Sequence, residues 1–271
     1  RVGAEIVGVD IGRGVDASTF DRIRTTFDRH RLIVFRGQRI EGDAQVRFSE
    51  RFGELEGHVR QSFRDERHPC LHIVSNLDAS GNPTHAVRSL GNYHWHTDKS
   101  YMPRPSWATL LHAIELPPEG GDTCFADMCA AFRALPPRQQ AFLETRFAVH
   151  SWETSRIRSG SPPATEQEKR DAPPVRHPMV RIHPGTGERA LYIGNHASHI
   201  EGMDREESEA HLTDLLAHAT QPEFVYRHRW RAGDLVMWDN RSLLHRALDD
   251  FDLAAHRRVL HRTVIRGEAT H

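Results

Sequence analysis

Lysine is nearly absent from this chain: Lys99 and Lys169 are the only two, so the Lys+Arg total of 36 is almost all arginine. That total meets Asp+Glu 37 at a formal charge of -1, which leaves no basic excess for a nucleic-acid partner. An arginine bias favours planar recognition of carboxylates, and a biased genome composition produces the same skew. Cysteine is scarce as well. Cys70, Cys124 and Cys129 are too few for a disulfide framework, and Cys124 and Cys129 lack the partner pair of a zinc site, so a reducing cytoplasm is expected. No apolar run approaches the roughly 18 residues of a membrane span, and no charged-then-apolar leader opens the chain, so no membrane partner is expected. The chain begins at Arg1, not Met, and its native start is expected upstream. Histidine, by contrast, is abundant at 20 of 271 residues, and no two are adjacent, which excludes a tag.

What is present suits a globule with a core: 38% hydrophobic residues and a mean hydropathy of -0.62. The length allows one large domain or two small ones, and one suffices for a barrel or sandwich. Glu5 to Asp10 alternates as a strand does. Asp16 to Arg31 has Phe20, Ile23 and Phe27 at helical spacing, with Asp16 or Ser18 as N-cap. Leu32 to Phe35 is a short apolar strand, and Asp43 to Phe52 a second helix closed by Gly53. Cys70–Ser75, Trp107–Ile114, Arg189–Ile193, Leu235–Trp238 and Arg257–Arg266 read as strands. Ala130–Leu135, Arg138–Arg146 and Glu206–Ala219 read as helices. Phe224, Tyr226, His228 and Trp230 alternate along a further strand with one aromatic face, which reads as sheet packing. Between 155 and 178 the composition turns to Ser, Pro, Arg, Glu and Gly, as in a mobile surface loop; a lid and a plain insertion fit this segment equally. Many short strands with peripheral helices point to a mainly β sandwich or jelly roll.

Tyr93-His94-Trp95-His96-Thr97-Asp98 carries the chemistry. On an extended chain His96 and Asp98 point to one side, so an imidazole and a carboxylate can take adjacent positions on one metal. A third ligand from a distant strand completes a two-His-one-carboxylate face and leaves the opposite positions open, as in non-haem Fe(II) oxygenases. His94 offers a rival pair with His96, suited to zinc. His245, at the end of Gly233 to Arg241 and the turn that follows, is the distant candidate. Further on, Arg258 and Arg262 share one side of a strand, about 13 Å apart at the usual rise, where they could hold two different carboxylates.

These residues resemble the α-ketoglutarate-dependent dioxygenases of the taurine and dichlorophenoxyacetate dioxygenase family. The resemblance runs from Gly3-Ala4-Glu5 and Leu32 to Gly37 through to Arg262. It rests on three blocks in order: His96-Thr97-Asp98, Gly120-Gly121-Asp122-Thr123, and Trp238-Asp239-Asn240-Arg241 through His245 to Arg258. His196 to Gly202 and Phe224 to Trp230 look closer to the dichlorophenoxyacetate branch. The region His58 to Phe63 lines up poorly with either branch.

The resemblance implies one domain over 1–271, mainly β with peripheral helices, folded as a double-stranded β-helix (jelly roll). It implies Fe(II) on His96, Asp98 and His245, with 2-oxoglutarate and O2 as cosubstrates. Thr123 and Arg258 would hold the distal carboxylate of 2-oxoglutarate, and Arg262 the acidic group of the primary substrate. His183 and His196 match histidines near the substrate, and Asn92, Tyr93 and Trp95 flank the metal segment. The expected reaction hydroxylates a small carboxylate or sulfonate, with an aryloxyalkanoate acid and ether cleavage first, and taurine, alkylsulfonate or alkyl sulfate as alternatives. Succinate and CO2 would be released. A homo-oligomer, dimer or higher, is expected. Two other classes stay open at this point: a zinc hydrolase built on His94, His96 and His245, and a silent jelly-roll protein that binds a small acid.

Overall fold

The computed structural model describes residues 2–57, 67–86 and 90–270. In chain order the strands are β1 Ala4–Glu5, β2 Leu32–Phe35, β3 His72–Ser75, β4 Ser106–Glu115, β5 Thr123–Asp127, β6 Phe147–His150 and β7 Val175–Pro178. They continue with β8 Val180–Ile182, β9 Arg189–Leu191, β10 Ala197–Ile200, β11 Val225–His228, β12 Leu235–Asp239, β13 Leu243–Ala247 and β14 Val259–Arg266. The helices are α1 Ala17–His30, α2 Gly42–Glu50, α3 Met128–Ala134, α4 Pro137–Glu144, α5 Trp152–Arg158, α6 Glu166–Asp171 and α7 Arg205–Ala219. None of the described helices is long and apolar enough to cross a membrane.

The main sheet has the order β1-β2-β12-β4-β14-β3, antiparallel except for the β1–β2 pair. A smaller antiparallel sheet, β11-β5-β13, faces it. The period-two rule sorts their side chains. Ile33 and Phe35 of β2, Ala108 and Leu110 of β4, Leu235 and Met237 of β12 and Ile265 of β14 turn outward and pack under α1 and α2 with Phe20, Ile23, Phe27 and Phe48. Leu32, Val34, Leu111, Ala113, Val236, Trp238 and Leu260 turn inward and meet Phe125 of β5 and Leu243 of β13. The minor sheet's outer face, Ala126 and Leu244, is covered by α3, α7 and the strands β9 and β10. Both faces of both sheets are therefore apolar, which is why β2, β5 and β12 are buried at every position rather than alternating. Two antiparallel sheets closed over one interior form the jelly roll expected of the sequence.

This alternation places the site. Thr109 of β4, Thr123 of β5, His245 of β13 and Arg262 of β14 fall on the inward positions of their strands, in step with Leu111, Phe125, Leu243 and Leu260. The interior that holds the apolar core thus also receives the polar groups.

Several elements differ from expectation. The first strand is confined to Ala4–Glu5. Residues 155–178 form the end of α5, then α6 and β7, in place of an irregular loop; α6 opens on a capping box between Thr165 and Glu168. The aromatic strand is shorter, Val225–His228, and its rings divide: Phe224 packs against the core beneath α3 and α7, while Tyr226 and Trp230 pack toward the sandwich interior. Gly53 lies beyond the end of α2, whose cap Arg51 stays right-handed. His58 to Phe63 lies outside the described residues.

Candidate metal centre

His96 and His245 face one another across an isolated antiparallel bridge, each backbone N–H donating to the other's carbonyl, at 3.1 and 2.8 Å. This pair of bonds joins the segment before β4 to β13 at the interior's edge. One ligand atom each from His96, Asp98 and His245 lies within 4.8 Å of the other two, and all three residues are buried. His94 is outside this group. Its backbone carbonyl instead accepts from His96 Nδ1 at 2.8 Å, which leaves Nε2 as the free nitrogen. The His245 ring is set by its neighbours Trp238 and Phe125, with centroids 4.8 and 6.2 Å away.

The carboxylate is oriented with equal care. Thr109 Oγ1 donates to Asp98 Oδ2 at 2.6 Å, and Arg262 Nη1 stands 3.7 Å from Oδ1. Asn240 joins these groups: its Nδ2 donates to Thr109 Oγ1 at 2.9 Å, its Oδ1 accepts from Trp238 Nε1 at 3.1 Å and from the Asp98 N–H at 3.3 Å, and its carbonyl accepts from Thr97 Oγ1 at 2.6 Å. Lys99, directly after Asp98, has φ 53 and pairs with the buried Glu56, which also accepts from Ser106 Oγ.

Electrostatics favour a cation between these groups. Burial alone would raise the Asp98 carboxyl, but Arg262, His245, His96 and the Thr109 hydrogen bond outweigh it and hold it well below the carboxylate range. Burial, then the neighbouring His96, lowers His245 to about 3, and burial lowers His96 as well. At neutral pH the site is two uncharged imidazoles beside one carboxylate, the protonation state a divalent metal needs. The three protein ligands leave other coordination positions free, which fits Fe(II) in an oxygenase.

A second basic group, Arg258, is held against the turn that leads into β5. Arg258 Nε donates to the Gly121 carbonyl at 3.1 Å, and its own N–H donates to Asn76 Oδ1 at 2.8 Å. Asn76 Nδ2 in turn holds the carbonyls of Leu253 and His256, at 2.7 and 2.9 Å. Among the described residues no carboxylate forms an ion pair with Arg258, and desolvation lowers its guanidinium to about 10. Arg257 behaves as an ordinary surface cation, paired with Glu115. Gly121 has φ 68, and a Cβ there would stand 3.0 Å from Arg258 Nε. At Gly120, φ 76, a Cβ would stand 2.4 Å from the Asp250 carbonyl oxygen. The pair of glycines is thus required by the turn that brings Arg258 against the start of β5, two residues before Thr123.

A model of the family described as taurine catabolism dioxygenase TauD, TfdA family matches residues 1–264. The chain belongs to the TauD/TfdA family. It is 38% identical over 270 residues to the alpha-ketoglutarate-dependent 2,4-dichlorophenoxyacetate dioxygenase of Cupriavidus pinatubonensis, covering 97% of this chain and 94% of that enzyme. It is 32% identical to an alpha-ketoglutarate-dependent sulfate ester dioxygenase of Pseudomonas putida, covering 99% and 87%. The crystal structure of AAD-2 in complex with Mn(II) and N-oxalylglycine superposes with a TM-score of 0.90 at 35% identity, covering 100% and 97%.

The remaining candidates divide within this TauD/TfdA chain. His196 lies close to the cluster: its ring is 6.2 Å from His96 and 5.0 Å from Tyr101, Ser100 Oγ is 3.1 Å from its Nδ1, and burial and His96 lower it to about 3. Asn92 sits on a 3-10 turn, Leu90–Tyr93, that abuts β13. His183 lies apart from this cluster, against Asp239. Its Nδ1 accepts from the Gly185 and Thr186 N–H groups, both at 3.2 Å, and its Nε2 lies 2.8 Å from Asp239 Oδ2, so the fully buried ring is used up beneath the Asp239–Arg241 turn. Thr109, Asn76 and Trp230 were not singled out from sequence as site residues. Asn240 stands in the recognised Trp238–Arg241 block, whereas a lone Thr or Asn in a strand carries no signal of its own.

Proposed function

We propose that the protein is an Fe(II)- and 2-oxoglutarate-dependent dioxygenase of small organic anions, a phenoxyalkanoate acid first among them, and that the whole chain is one catalytic unit. The observation that carries this reading is the buried His96–Asp98–His245 cluster, with Arg258 held against the turn that leads to Thr123 and in no ion pair among the described residues. Relatives that act on phenoxyalkanoates match nearly the full length of the chain and support the substrate class.

In this assignment His96, Asp98 and His245 hold the metal, Thr123 and Arg258 bind the distal carboxylate of 2-oxoglutarate, and Arg262 with His196 receives the primary acid, with Asn92 nearby. Iron, when bound, supplies the oxidising chemistry that couples O2 and decarboxylation of 2-oxoglutarate to hydroxylation of a C–H bond. The residues do the positioning. Arg258 fixes one end of the cosubstrate by a charge-assisted fork. Thr109 and Asn240 keep Asp98 turned toward the two imidazoles, and the His94 carbonyl keeps His96 in the ligating tautomer. The apolar walls Phe125, Trp238 and Leu243 exclude water from the interior. If the hydroxylated carbon bears an ether oxygen, the hemiacetal collapses to a phenol and an aldehyde acid; succinate and CO2 leave with them. A reducing cytoplasm, favoured by three free thiols, and a homo-oligomeric assembly, testable by light scattering, belong to the same proposal.

Purified protein with ferrous iron, ascorbate and 2-oxoglutarate, offered phenoxyacids, alkyl sulfates and alkylsulfonates and scored by succinate release, tests the reading. Phenoxyacids are expected to give the fastest release. A faster alkyl sulfate or sulfonate replaces the substrate class, and no succinate with any acid overturns the oxygenase reading.

A further inference from the structure

Trp230 stands just beyond β11, and its indole Nε1–H donates to Thr123 Oγ1 at 3.0 Å. We propose that Trp230 is a positioning residue for 2-oxoglutarate, acting through the Thr123 hydroxyl; the inference rests on the assignment of Thr123 to the distal carboxylate.

The argument is one of donors and acceptors. A threonine hydroxyl has one proton to give and two lone pairs to receive, while an indole N–H can only donate. The contact therefore has a fixed sense: Trp230 gives, and Thr123 keeps its proton for another acceptor. Thr123 is buried, at the inward-facing start of β5, two residues past the Gly121 carbonyl that accepts from Arg258. A carboxylate placed between the Arg258 guanidinium and Thr123 is the acceptor that proton requires. Donation into the hydroxyl oxygen also polarises its O–H and strengthens the bond it gives.

The indole is itself held in place. His228 meets it edge to face, with centroids 4.5 Å apart and an 84° interplanar angle. The His228 Nε2 lies 3.2 Å from Asp234 Oδ2, and that oxygen also accepts from the Arg231 N–H at 2.8 Å and from Arg36. The loop between β11 and β12 is thus folded around a buried carboxylate, Asp234, and the result of that folding is one indole N–H aimed at Thr123. A purely apolar role would be met by any large ring.

The test is direct binding of 2-oxoglutarate, by calorimetry, to the Mn(II)-loaded protein and its variants Trp230→Phe, Thr123→Val and the double variant, alongside KM and kcat with Fe(II). Trp230→Phe keeps the ring and removes the N–H; it is expected to weaken 2-oxoglutarate about fivefold, the worth of one neutral hydrogen bond, with kcat and the primary acid's KM unchanged. In the Thr123→Val background it is expected to add nothing. An unchanged affinity in Trp230→Phe, with Thr123→Val weakened, overturns the role of Trp230 and leaves the cosubstrate assignment standing. An unchanged affinity in Thr123→Val overturns that assignment itself. An equal Trp230→Phe effect in both backgrounds means the ring acts by packing and also overturns the inference. Benzothienylalanine at position 230, which exchanges only the N–H for sulfur, gives the same comparison if the phenylalanine variant does not fold.

Discussion

Replacing Thr109 with valine removes one hydroxyl and almost no volume, and that hydroxyl is the one that donates to Asp98 Oδ2. Groups that orient a metal ligand contribute heavily to affinity, so Thr109→Val is expected to bind Mn(II) or Fe(II) roughly 10- to 100-fold more weakly with its circular dichroism intact. Unchanged metal affinity would show that Asp98 needs no such support. Arg258→Ala removes a charged donor that forms no ion pair among the described residues, and 2-oxoglutarate should bind roughly 10- to 100-fold more weakly while the primary acid is little affected. Equal losses for both would contradict the division of labour between Arg258 and Arg262. At this scale the sequence was informative where chemistry imposes a spacing. His96 and Asp98 share a local pattern; Arg258, expected on the same strand as Arg262, instead lies just before β14, which begins at Val259. Thr109 and Asn76 act through contacts made only when distant segments meet, and a lone Thr or Asn looks the same wherever it stands. The placement of His183, fully buried against Asp239, was not legible because the two residues are brought together only by the fold.

The turn into β5 is the element on which the cosubstrate end of the site depends. Gly121→Ala would place a methyl group 3.0 Å from Arg258 Nε on a backbone at φ 68, a region that costs an L-residue roughly 1–2 kcal/mol. The expected outcome is a lower urea midpoint together with weaker 2-oxoglutarate binding, and a variant as stable and as tight as the parent would show that the turn tolerates a side chain. Strand β2 was legible as a short continuous apolar run, but which of its side chains face inward was not, because Leu32 and Val34 are as apolar as Ile33 and Phe35. The 155–178 segment was not, although Thr165 and Glu168 already spelled a capping box; its Pro, Ser and Arg content outweighed a short local signal. Strand β13 carries a weak conformational signal: Leu243 to Ala247 is five residues long, and the chemistry of His245 within it stands out more than any alternation.

The molecule as a whole buries several histidines uncharged. Burial, with His177 and His196 nearby, holds His150 well below the ordinary imidazole value, and burial lowers His177 to about 4. Below pH 6.5 the unfolded chain protonates these rings and the folded one resists protonation, so U binds more protons than N and stability drops as the pH is lowered. For His177 this contribution is intact above about 6.5 and is lost progressively toward the folded value near 4, at about 1.4 kcal/mol per pH unit, and His150 acts in the same direction. Urea midpoints of the chelator-treated protein should therefore drop between pH 7 and pH 5, and a flat profile would mean that the rings find partners for their charged forms. Fold class was legible at this scale because many short strands alternate with a few peripheral helices, and the resemblance to the dioxygenase family named the jelly roll.

The claim on which the rest depends is that the buried His96–Asp98–His245 cluster carries an iron-dependent, 2-oxoglutarate-consuming oxidation. Oxygen uptake and succinate formation, followed together with a phenoxyacetic acid in the parent protein and in Asp98→Ala, test it most directly. Matched uptake and succinate in the parent, dependent on ferrous iron and absent from Asp98→Ala, is the predicted result. Undiminished turnover in Asp98→Ala, or in the parent stripped of iron, would contradict it.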